Sequence, residues 1–353
     1  MTSRERIRIL LEGKLPDRPP LYDVIRNDAV IEHFSGGKLN RKTAASLVPL
    51  AHERALDATK SFFRLPNFQA GTTEVTKDGR KVTHQKWTSW CDHRVYASAE
   101  EYAEAKKALT AEPCVWCDED QERLTEVIAR WQALQRQYPA LCQDLEFPGP
   151  ARLDNIFSEV GLEAFSYYMV DCPDVLHRQV HFHFEKITQA VEAADLPEEA
   201  LVISEAADMA FKTGLLFPPA FLRKSFIPGY TRFCDAVHRK GRKVLFHSDG
   251  NLTEILDDLV EAGIDLLHPL EPLAGMDPGE IHRRYPHLIL LGSIDVSQLL
   301  PYGTEEQIAD RVKRNIEAAE GMIMIGSSTE VHNEVPLRNY LALHEAVLDY
   351  RYG

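Results

Sequence analysis

Short apolar runs that alternate with helical stretches constrain the fold of this chain more than any other feature of its sequence. From residue 139 onward, apolar runs of four to six residues alternate with segments that have helical spacing. These runs lie in ALCQDLEF, ALVISEAADM, KVLFHSDG, IDLLHPLEP, HLILLGSID and GMIMIGSSTEV. Apolar strands that alternate with helices are typical of parallel β/α units whose sheet is buried on both faces.

The intervening segments carry the expected signals of helix ends. Pro173 lies where a helix would begin, and Gly263 lies where a helix would end. Thr304 is followed three residues later by Gln307, which is the spacing of a capping box. We therefore expect regular helices between the strands.

The number of β/α units indicates the architecture. Five units follow residue 139, and LYDVI near the N-terminus predicts a further buried strand. Because the total comes close to eight, we expect an α/β fold of the (β/α)8 barrel type rather than an open doubly wound sheet. No Gly-rich phosphate fingerprint follows a strand, which weakens the dinucleotide-binding alternative. We expect a single barrel domain over residues 1–353 with an excursion at about 55–138, which contains a β-hairpin at Asp78-Gly79.

Composition excludes several classes of partner. The chain has 353 residues and a formal net charge of −14, which repels phosphate backbones and anionic membrane surfaces. We therefore expect no nucleic-acid or membrane partner. No apolar run approaches the roughly 20 residues of a membrane helix, and the first residues are too charged for a secretory signal, so we expect a cytoplasmic protein. Six scattered cysteines do not form a disulfide framework in a chain of this length.

Polar side chains follow most of the predicted strands. In a (β/α)8 barrel the active site lies at the carboxyl ends of the strands, so we expect these side chains to converge on one cavity. They are Asp23, Arg26, Glu146, Glu205, Asp208, His247, Asp249, His268, Glu271, Asp295, Ser327, Ser328, Glu330 and His332. A carboxylate at a strand end is equally often the cap of the next helix, and this alternative applies to Asp249 and Asp295.

His247 is the strongest candidate for a metal ligand. It directly follows the apolar run KVLF, and Asp249 lies two residues further on. An imidazole with carboxylates is a ligand set that suits zinc or another divalent first-row ion. A single histidine in a loop is nevertheless more often a solvated or hydrogen-bonded residue.

Two other motifs carry less weight. Cys114 and Cys117 form a CxxC pair without a second pair, so ordinary thiols are favoured over half a zinc site or a redox pair. His177 and His181 lie four residues apart on one predicted helix and could chelate a metal. That helix is expected on the outside of the barrel, so a solvated face is the simpler interpretation.

Several segments resemble the uroporphyrinogen decarboxylase superfamily, which includes true decarboxylases and methyltransferases that work with corrinoid proteins. RERIRILLEGKLPDRPPLYD resembles the N-terminal helix and first strand of that superfamily. FPGPARLDNIFSEVGLEAFSYYMVDCPDVLHRQV resembles its GP turn and the following helices, and LFHSDGN, LLGSID and GSSTEVHNEVPLRNY resemble its later strand ends. The resemblance covers most of the chain outside the excursion and implies a (β/α)8 barrel.

Differences between this sequence and the motifs of the subgroups reduce the number of reactions that the superfamily resemblance allows. True decarboxylases have an arginine-rich RQAGRY stretch that grips tetrapyrrole carboxylates, whereas YDVIRNDAVIEHF has only Arg26 there. Coenzyme M methyltransferases have zinc bound by His-x-Cys and a second Cys. Here His247 matches the histidine, but Asp249 and Ser327 stand at the two cysteine positions. Carboxylate ligands leave zinc a harder Lewis acid, which suits the polarisation of a substrate oxygen.

The leading hypothesis is therefore a corrinoid-dependent methyltransferase that moves a methyl group between a small methoxylated substrate and a corrinoid supplied by a separate protein. The expected ligands of zinc or another divalent metal are His247, Asp249, Glu205 and Glu271, with His332 as a further candidate. The expected catalytic residues are Asp23, Arg26, Asp295 and His332. The expected pocket residues are Asp208, His268, Ser327, Ser328 and Glu330.

Two alternatives stay open. One is a decarboxylase of a small carboxylic acid in which Asp23 and His332 donate protons. The other is a binding protein that has the pocket without the chemistry, because both expected thiols are replaced.

Overall fold

The structure is a computed structural model that describes residues 1–60, 63–107, 114–147, 149–150 and 152–352. Its strands are β1 Ala58–Thr59, β2 Thr73–Val75, β3 Lys81–His84, β4 Ser89–Cys91, β5 Cys142–Gln143, β6 Leu145–Glu146, β7 Val202–Ala206, β8 Ala210–Phe211, β9 Gly214–Leu215, β10 Lys243–His247, β11 Leu266–Leu270, β12 Ile289–Ile294 and β13 Ile323–Ser327.

Helices separate most of these strands. They are α1 Ser3–Leu11, α2 Asp28–Ser35, α3 Ala44–Ala55, α4 Ala99–Lys106, α5 Asp118–Gln137, α6 Leu153–Val160, α7 Leu162–Asp171, α8 Pro173–Ala193, α9 Pro219–Ser225, α10 Ile227–Arg239, α11 Leu256–Ala262, α12 Pro278–Arg284, α13 Leu299–Tyr302, α14 Glu305–Ala318 and α15 Leu337–Asp349. Among the described segments, none is a helix with the length and apolarity that crossing a bilayer requires.

A parallel sheet forms the centre of the molecule. Its six strands lie in the order β13-β12-β11-β10-β7-β6, and all the pairs are parallel. Helices follow most of these strands along the chain. The predicted α/β class with a parallel sheet is therefore confirmed.

Further parallel contacts extend this series at both ends. Leu21 forms a bridge with Ile325 of β13, and Tyr22 forms one with Ala58 of β1. In turn, β1 pairs in parallel with β5, which precedes β6 along the chain. The segment predicted as the first strand thus lies between β13 and β1. The strand β1 itself falls inside the stretch that the sequence assigned to the excursion.

Gly326 allows the first segment to approach β13 closely. A Cβ atom at this position would lie 1.8 Å from the carbonyl oxygen of Tyr22, which no side chain can tolerate. The backbone N–H of Tyr22 donates to the carbonyl of Ile325 at 2.9 Å. The missing side chain therefore permits the contact between the N-terminal segment and β13.

The apolar core has an inner and an outer part, as strand alternation requires. Leu245 belongs to a small cluster with residues of the neighbouring strands, such as Leu266 and Val202. Val244 and Phe246 belong to the larger cluster that includes the helices. Because side chains alternate along a strand, His247 lies on the same face as Leu245.

The excursion carries its own sheet, in which β2, β3 and β4 pair antiparallel. Gly79 has a φ of 85° between β2 and β3, where the sequence places the hairpin turn. The excursion also contains α5, whose buried Trp131 donates from Nε1 to the carbonyl of Asp144 at 2.9 Å. This bond ties the helix to the parallel strands.

Candidate functional site

Two histidines at adjacent strand ends form the centre of the site. The register of β10 and β11 places His247 opposite His268. Their Nδ1 atoms lie 2.7 Å apart, and the two rings stack with centroids 4.9 Å apart. Parallel pairing in register thus converts two strand-end residues into a hydrogen-bonded pair.

Both imidazoles are held in the neutral form. Burial, followed by the positive charge of Lys60, lowers the pKa of His268 to about 3. Burial, with smaller contributions from Lys60 and His268, also lowers the pKa of His247 well below its usual value. A single proton therefore lies between the two Nδ1 atoms, and one ring donates while the other accepts.

Two aspartates complete a cluster around the other face of His247. His247 Nε2 lies 3.7 Å from Asp208 Oδ1, and the backbone N–H of Asp249 donates to that same oxygen at 3.2 Å. One ligand atom each from Asp208, His247 and Asp249 lies within 4.8 Å of the other two. Asp249 Oδ1 is buried and has no hydrogen-bond partner among the described residues. A bound cation would satisfy a buried carboxylate oxygen of this kind.

The electrostatics of the cluster favour a cation as well. Burial, the charge of Asp208 and the charge of Glu271 raise the pKa of Asp249 to about 7. Burial likewise raises the pKa of Asp208. Carboxylates brought together in this way are stabilised by a divalent cation more than by solvent.

A tight turn brings the second aspartate into place. Gly250 has a φ of 88°, and a Cβ atom there would lie 2.6 Å from the backbone of Ala210. Its backbone N–H donates to Glu271 Oε1 at 3.1 Å. Glu271 therefore lies beside the cluster and holds the turn that carries Asp249.

Glu205, which the sequence places among the metal ligands, does not join this group. Its side chain is buried and accepts a hydrogen bond from His183 Nε2 of α8 at 2.9 Å. Strand alternation is the physical reason, because Ala206 rather than Glu205 is the partner of His247 in the register of β7 and β10. Asp208, which the sequence assigned to the substrate pocket, occupies the position expected of Glu205.

The predicted catalytic residues have other partners. Asp23 is buried and accepts from the backbone N–H of Ser327 at 2.8 Å and from its hydroxyl at 2.7 Å. Asp295 accepts from the backbone N–H groups of Gln298 and Leu299 at 2.7 and 2.8 Å, so it caps α13, as the alternative interpretation held. Neither aspartate belongs to the cluster of Asp208, His247 and Asp249.

The remaining predicted residues lie in the loop after β13 and its neighbours. Arg26 Nη1 donates to Glu330 Oε1 at 2.6 Å. Ser328 Oγ accepts from the backbone N–H of Val296 at 3.1 Å. His332 Nε2 lies 3.0 Å from the carbonyl of Val296, and its Nδ1 lies 2.6 Å from Glu334. Neither Ser328 nor His332 is a member of the carboxylate–imidazole cluster.

Two basic residues near the cluster are absent from the predicted site. Lys60 directly follows β1, and its charge contributes to the lowered pKa of both His247 and His268 after the larger effect of burial. Arg152 pairs with Glu146 and lies 3.4 Å from Asp154. The strand β1 has only two residues, which is too short to show a periodic pattern in the sequence. Only its pairing with β5 in the structure reveals that Lys60 follows a strand of the parallel series.

Comparisons with known proteins agree with the fold. The family model described as uroporphyrinogen decarboxylase (URO-D) matches residues 158–350, which is more than half of the chain. A methyltransferase from Methanosarcina mazei is similar in structure, with a TM-score of 0.68, 19% sequence identity and 99% of each chain covered. That likeness concerns the fold.

Two other comparisons add no support. A mutant PTE-like lactonase of Deinococcus radiodurans has a TM-score of 0.35 and 13% identity, over 63% of this chain and 66% of the lactonase. No curated protein matches the sequence. The matched segment begins within α6 and contains β7 and β10 to β13, together with both histidines of the central pair. The chain belongs to the uroporphyrinogen decarboxylase family.

Proposed function

We propose that this protein is a corrinoid-dependent methyltransferase that moves a methyl group between a small methoxylated substrate and a corrinoid carried by a separate protein. The cluster of Asp208, His247 and Asp249 is the observation that carries the proposal. The similarity of fold to the Methanosarcina methyltransferase is consistent with it. We also propose that the parallel segments close into a (β/α)8 barrel through the bridges of Leu21 and Tyr22, with β5 and β6 together forming one of the eight barrel strands.

The residues of the cluster fit zinc or another divalent ion. His247 would bind through Nε2, and Asp208 and Asp249 would bind through carboxylate oxygens, of which Asp249 Oδ1 has no other partner among the described residues. Such an ion supplies Lewis-acid polarisation of an oxygen atom. Nitrogen and oxygen ligands without thiolates suit that role.

His268 contributes to this site through its hydrogen bond with His247. For His247 to offer a lone pair at Nε2, its proton must lie on Nδ1 and be donated to Nδ1 of His268. His268 then carries its own proton on Nε2. The pair can thereby hold the tautomer of His247 that binds a metal.

The proposed methyl transfer is a nucleophilic displacement at the methyl carbon. The methyl–oxygen bond of the donor breaks, and the methyl group passes to the corrinoid. The departing oxygen retains the electron pair of that bond and takes up a proton. Glu271 lies beside the cluster, and burial raises the pKa of its carboxyl group, so it can supply this proton.

Metal content and methyl transfer test the proposal together. We expect about one divalent metal per wild-type chain, with loss of the metal in His247→Ala and its retention in His181→Ala, which removes a half-buried histidine of α8. Methyl transfer to added cob(I)alamin from a panel of methoxylated compounds should follow metal content. Absence of turnover with every donor, with metal supplied, would contradict the proposal.

One observation favours a decarboxylase of a small acid as the second candidate. Burial raises the pKa of Asp23 to about 7, although hydrogen bonds from Ser327 and Val24 oppose that shift. A carboxyl group of this kind can donate a proton near neutrality. A decarboxylase of this design would retain activity after all metal is chelated, whereas the proposed methyltransferase would lose it.

A further inference from the structure

Ser248 lies where the ends of three strands of the parallel sheet are joined by hydrogen bonds. It directly follows β10, and its two chain neighbours, His247 and Asp249, both belong to the candidate metal cluster. Its backbone N–H donates to the carbonyl of His268 in β11 at 3.0 Å. The residue is fully buried, so bulk water does not compete for its hydroxyl group.

The hydroxyl group of Ser248 joins the two loops that carry the aspartates of the cluster. Its Oγ accepts from the backbone N–H of Met209 at 3.1 Å, and Met209 directly follows Asp208 in the loop after β7. The same Oγ donates to the carbonyl of Asp249 at 3.1 Å. A serine hydroxyl has one proton to donate and lone pairs that accept, so these two bonds use it in both roles.

A second hydrogen bond between the same two loops involves a candidate ligand atom. The backbone N–H of Asp249 donates to Asp208 Oδ1 at 3.2 Å, and that oxygen lies 3.7 Å from His247 Nε2. An ion shared by Asp208 and His247 would therefore compete for the acceptor of this bond. The bonds of Ser248 use no carboxylate or imidazole atom, so they are compatible with a bound metal.

We propose that Ser248 is a positioning residue of the metal site, whose hydroxyl group fixes the separation of Asp208 and Asp249 and thereby sets the affinity and geometry of the bound ion. The inference rests on the metal site of the proposed function, but not on methyl transfer. Without the hydroxyl group, the backbone N–H of Met209 loses its acceptor and the two loops lose this connection.

The first test measures zinc dissociation constants on the full chain by titration against a competing chelator. Ser248→Ala retains every proposed ligand, and we expect its zinc dissociation constant to rise at least about tenfold, as is usual when a group that orients metal ligands is removed. Ser248→Thr retains a hydroxyl group and should recover part of the lost affinity.

Ser225→Ala is the matched control for packing. Ser225 is a fully buried serine of α9 that is not a member of the cluster, and its Oγ donates to the carbonyl of Phe221 at 2.8 Å. Each alanine variant thus loses one buried hydroxyl group. Unfolding free energies measured in chelator should fall in both variants, whereas zinc affinity should fall only in Ser248→Ala.

Cobalt(II) provides a readout that a loss of stability alone does not change. The visible absorption spectrum of bound cobalt(II) reports the geometry of its ligands. We expect the spectrum of Ser248→Ala to differ from that of the wild type, because the two carboxylates are no longer held at the same separation. The spectrum of Ser225→Ala should match that of the wild type.

Wild-type zinc affinity in Ser248→Ala would overturn the inference, as would equal losses of affinity in the two alanine variants or a weaker affinity in Ser248→Thr than in Ser248→Ala. Failure of the proposed function gives a different pattern. A chain that behaves as expected in the metal titrations but transfers no methyl group to cob(I)alamin retains the role of Ser248 and loses the methyltransferase proposal. A wild-type chain that binds neither zinc nor cobalt loses both.

Discussion

His247 and His268 face each other through their Nδ1 atoms at a distance of 2.7 Å. Because burial lowers the pKa of both rings, they share one proton between their Nδ1 atoms, and the tautomers of the two rings are therefore linked. The pair therefore connects the register of β10 and β11 to the chemistry of the candidate metal site.

Replacement of His268 should weaken metal binding without removing a ligand. In His268→Leu the Nδ1 proton of His247 has no acceptor, and we expect the zinc dissociation constant to rise about 10- to 100-fold. His268→Asn should recover part of the loss, since an amide oxygen can accept that proton. Zinc titration measures both variants, with their unfolding free energies in chelator as a control for packing. Wild-type zinc affinity in His268→Leu would contradict the assigned role.

The ligand set itself is tested by two carboxylates that come from the same part of the chain. Asp208 belongs to the cluster, whereas Glu205 is bonded to His183 of α8. We expect Asp208→Asn to lose stoichiometric metal binding and Glu205→Gln to keep it. Metal analysis of the two purified variants decides the question. The reverse result would restore the ligand set predicted from sequence.

Asp23 should make the metal-free protein less stable as the pH rises. Its pKa in the folded chain is raised to about 7 by burial, above the value of an exposed aspartate. The folded state therefore binds more protons than the unfolded state between about pH 4 and 7, and the free energy of unfolding falls across this range.

Asp23→Asn should remove that dependence. We expect the difference in unfolding free energy between wild type and variant to change by about 2 to 4 kcal/mol from pH 4.5 to 8, as measured by urea denaturation. Asp171→Asn, at an exposed position, serves as the control. A pH-independent difference for Asp23→Asn would show that the carboxyl group is ionised throughout.

Asp57 should be essential for the N-terminal part of the fold. It is buried and accepts from Arg6 and Arg18 at 2.7 Å each, and from the backbone N–H of Leu21 at 2.8 Å. Asp57→Ala leaves the buried Arg6 without this partner, and we expect a loss of about 3–5 kcal/mol in unfolding free energy.

Asp17 offers a matched comparison because it also pairs with Arg6, but its side chain is 41% exposed. We expect Asp17→Ala to cost about 1 kcal/mol or less. Similar losses in the two variants, measured by denaturant unfolding, would argue against a special role of burial at Asp57.

The parallel architecture can be predicted well from the sequence, because strands and helix ends are each marked by residues that are close together along the chain. Apolar runs identify β7, β10, β12 and β13, while Pro173, Gly263 and the box of Thr304 and Gln307 mark helix ends that the structure contains. The family resemblance is confirmed on the same segments. Helical spacing over residues 153–170 does not reveal that this stretch forms two helices, α6 and α7, which Gly161 with a φ of 83° separates.

The candidate site is less predictable because it depends on register between strands. The sequence places His247 and Asp249 correctly at a strand end, but it cannot show that Glu205 faces α8 while Asp208 faces His247. Alternation along β7 could have excluded Glu205 once the pairing with β10 was known. Asp295 and Asp23 are predicted from their position at strand ends, and only the structure shows that their carboxylates accept hydrogen bonds from the backbone of Gln298 and Ser327.

An anomalous-difference map of a crystal grown with zinc tests the central claim most directly. We predict one strong peak at about 2.0–2.2 Å from His247 Nε2 and from a carboxylate oxygen of both Asp208 and Asp249. A map with no peak beside His247, or with its strongest peak at Cys114 and Cys117, would contradict the assignment of the metal site.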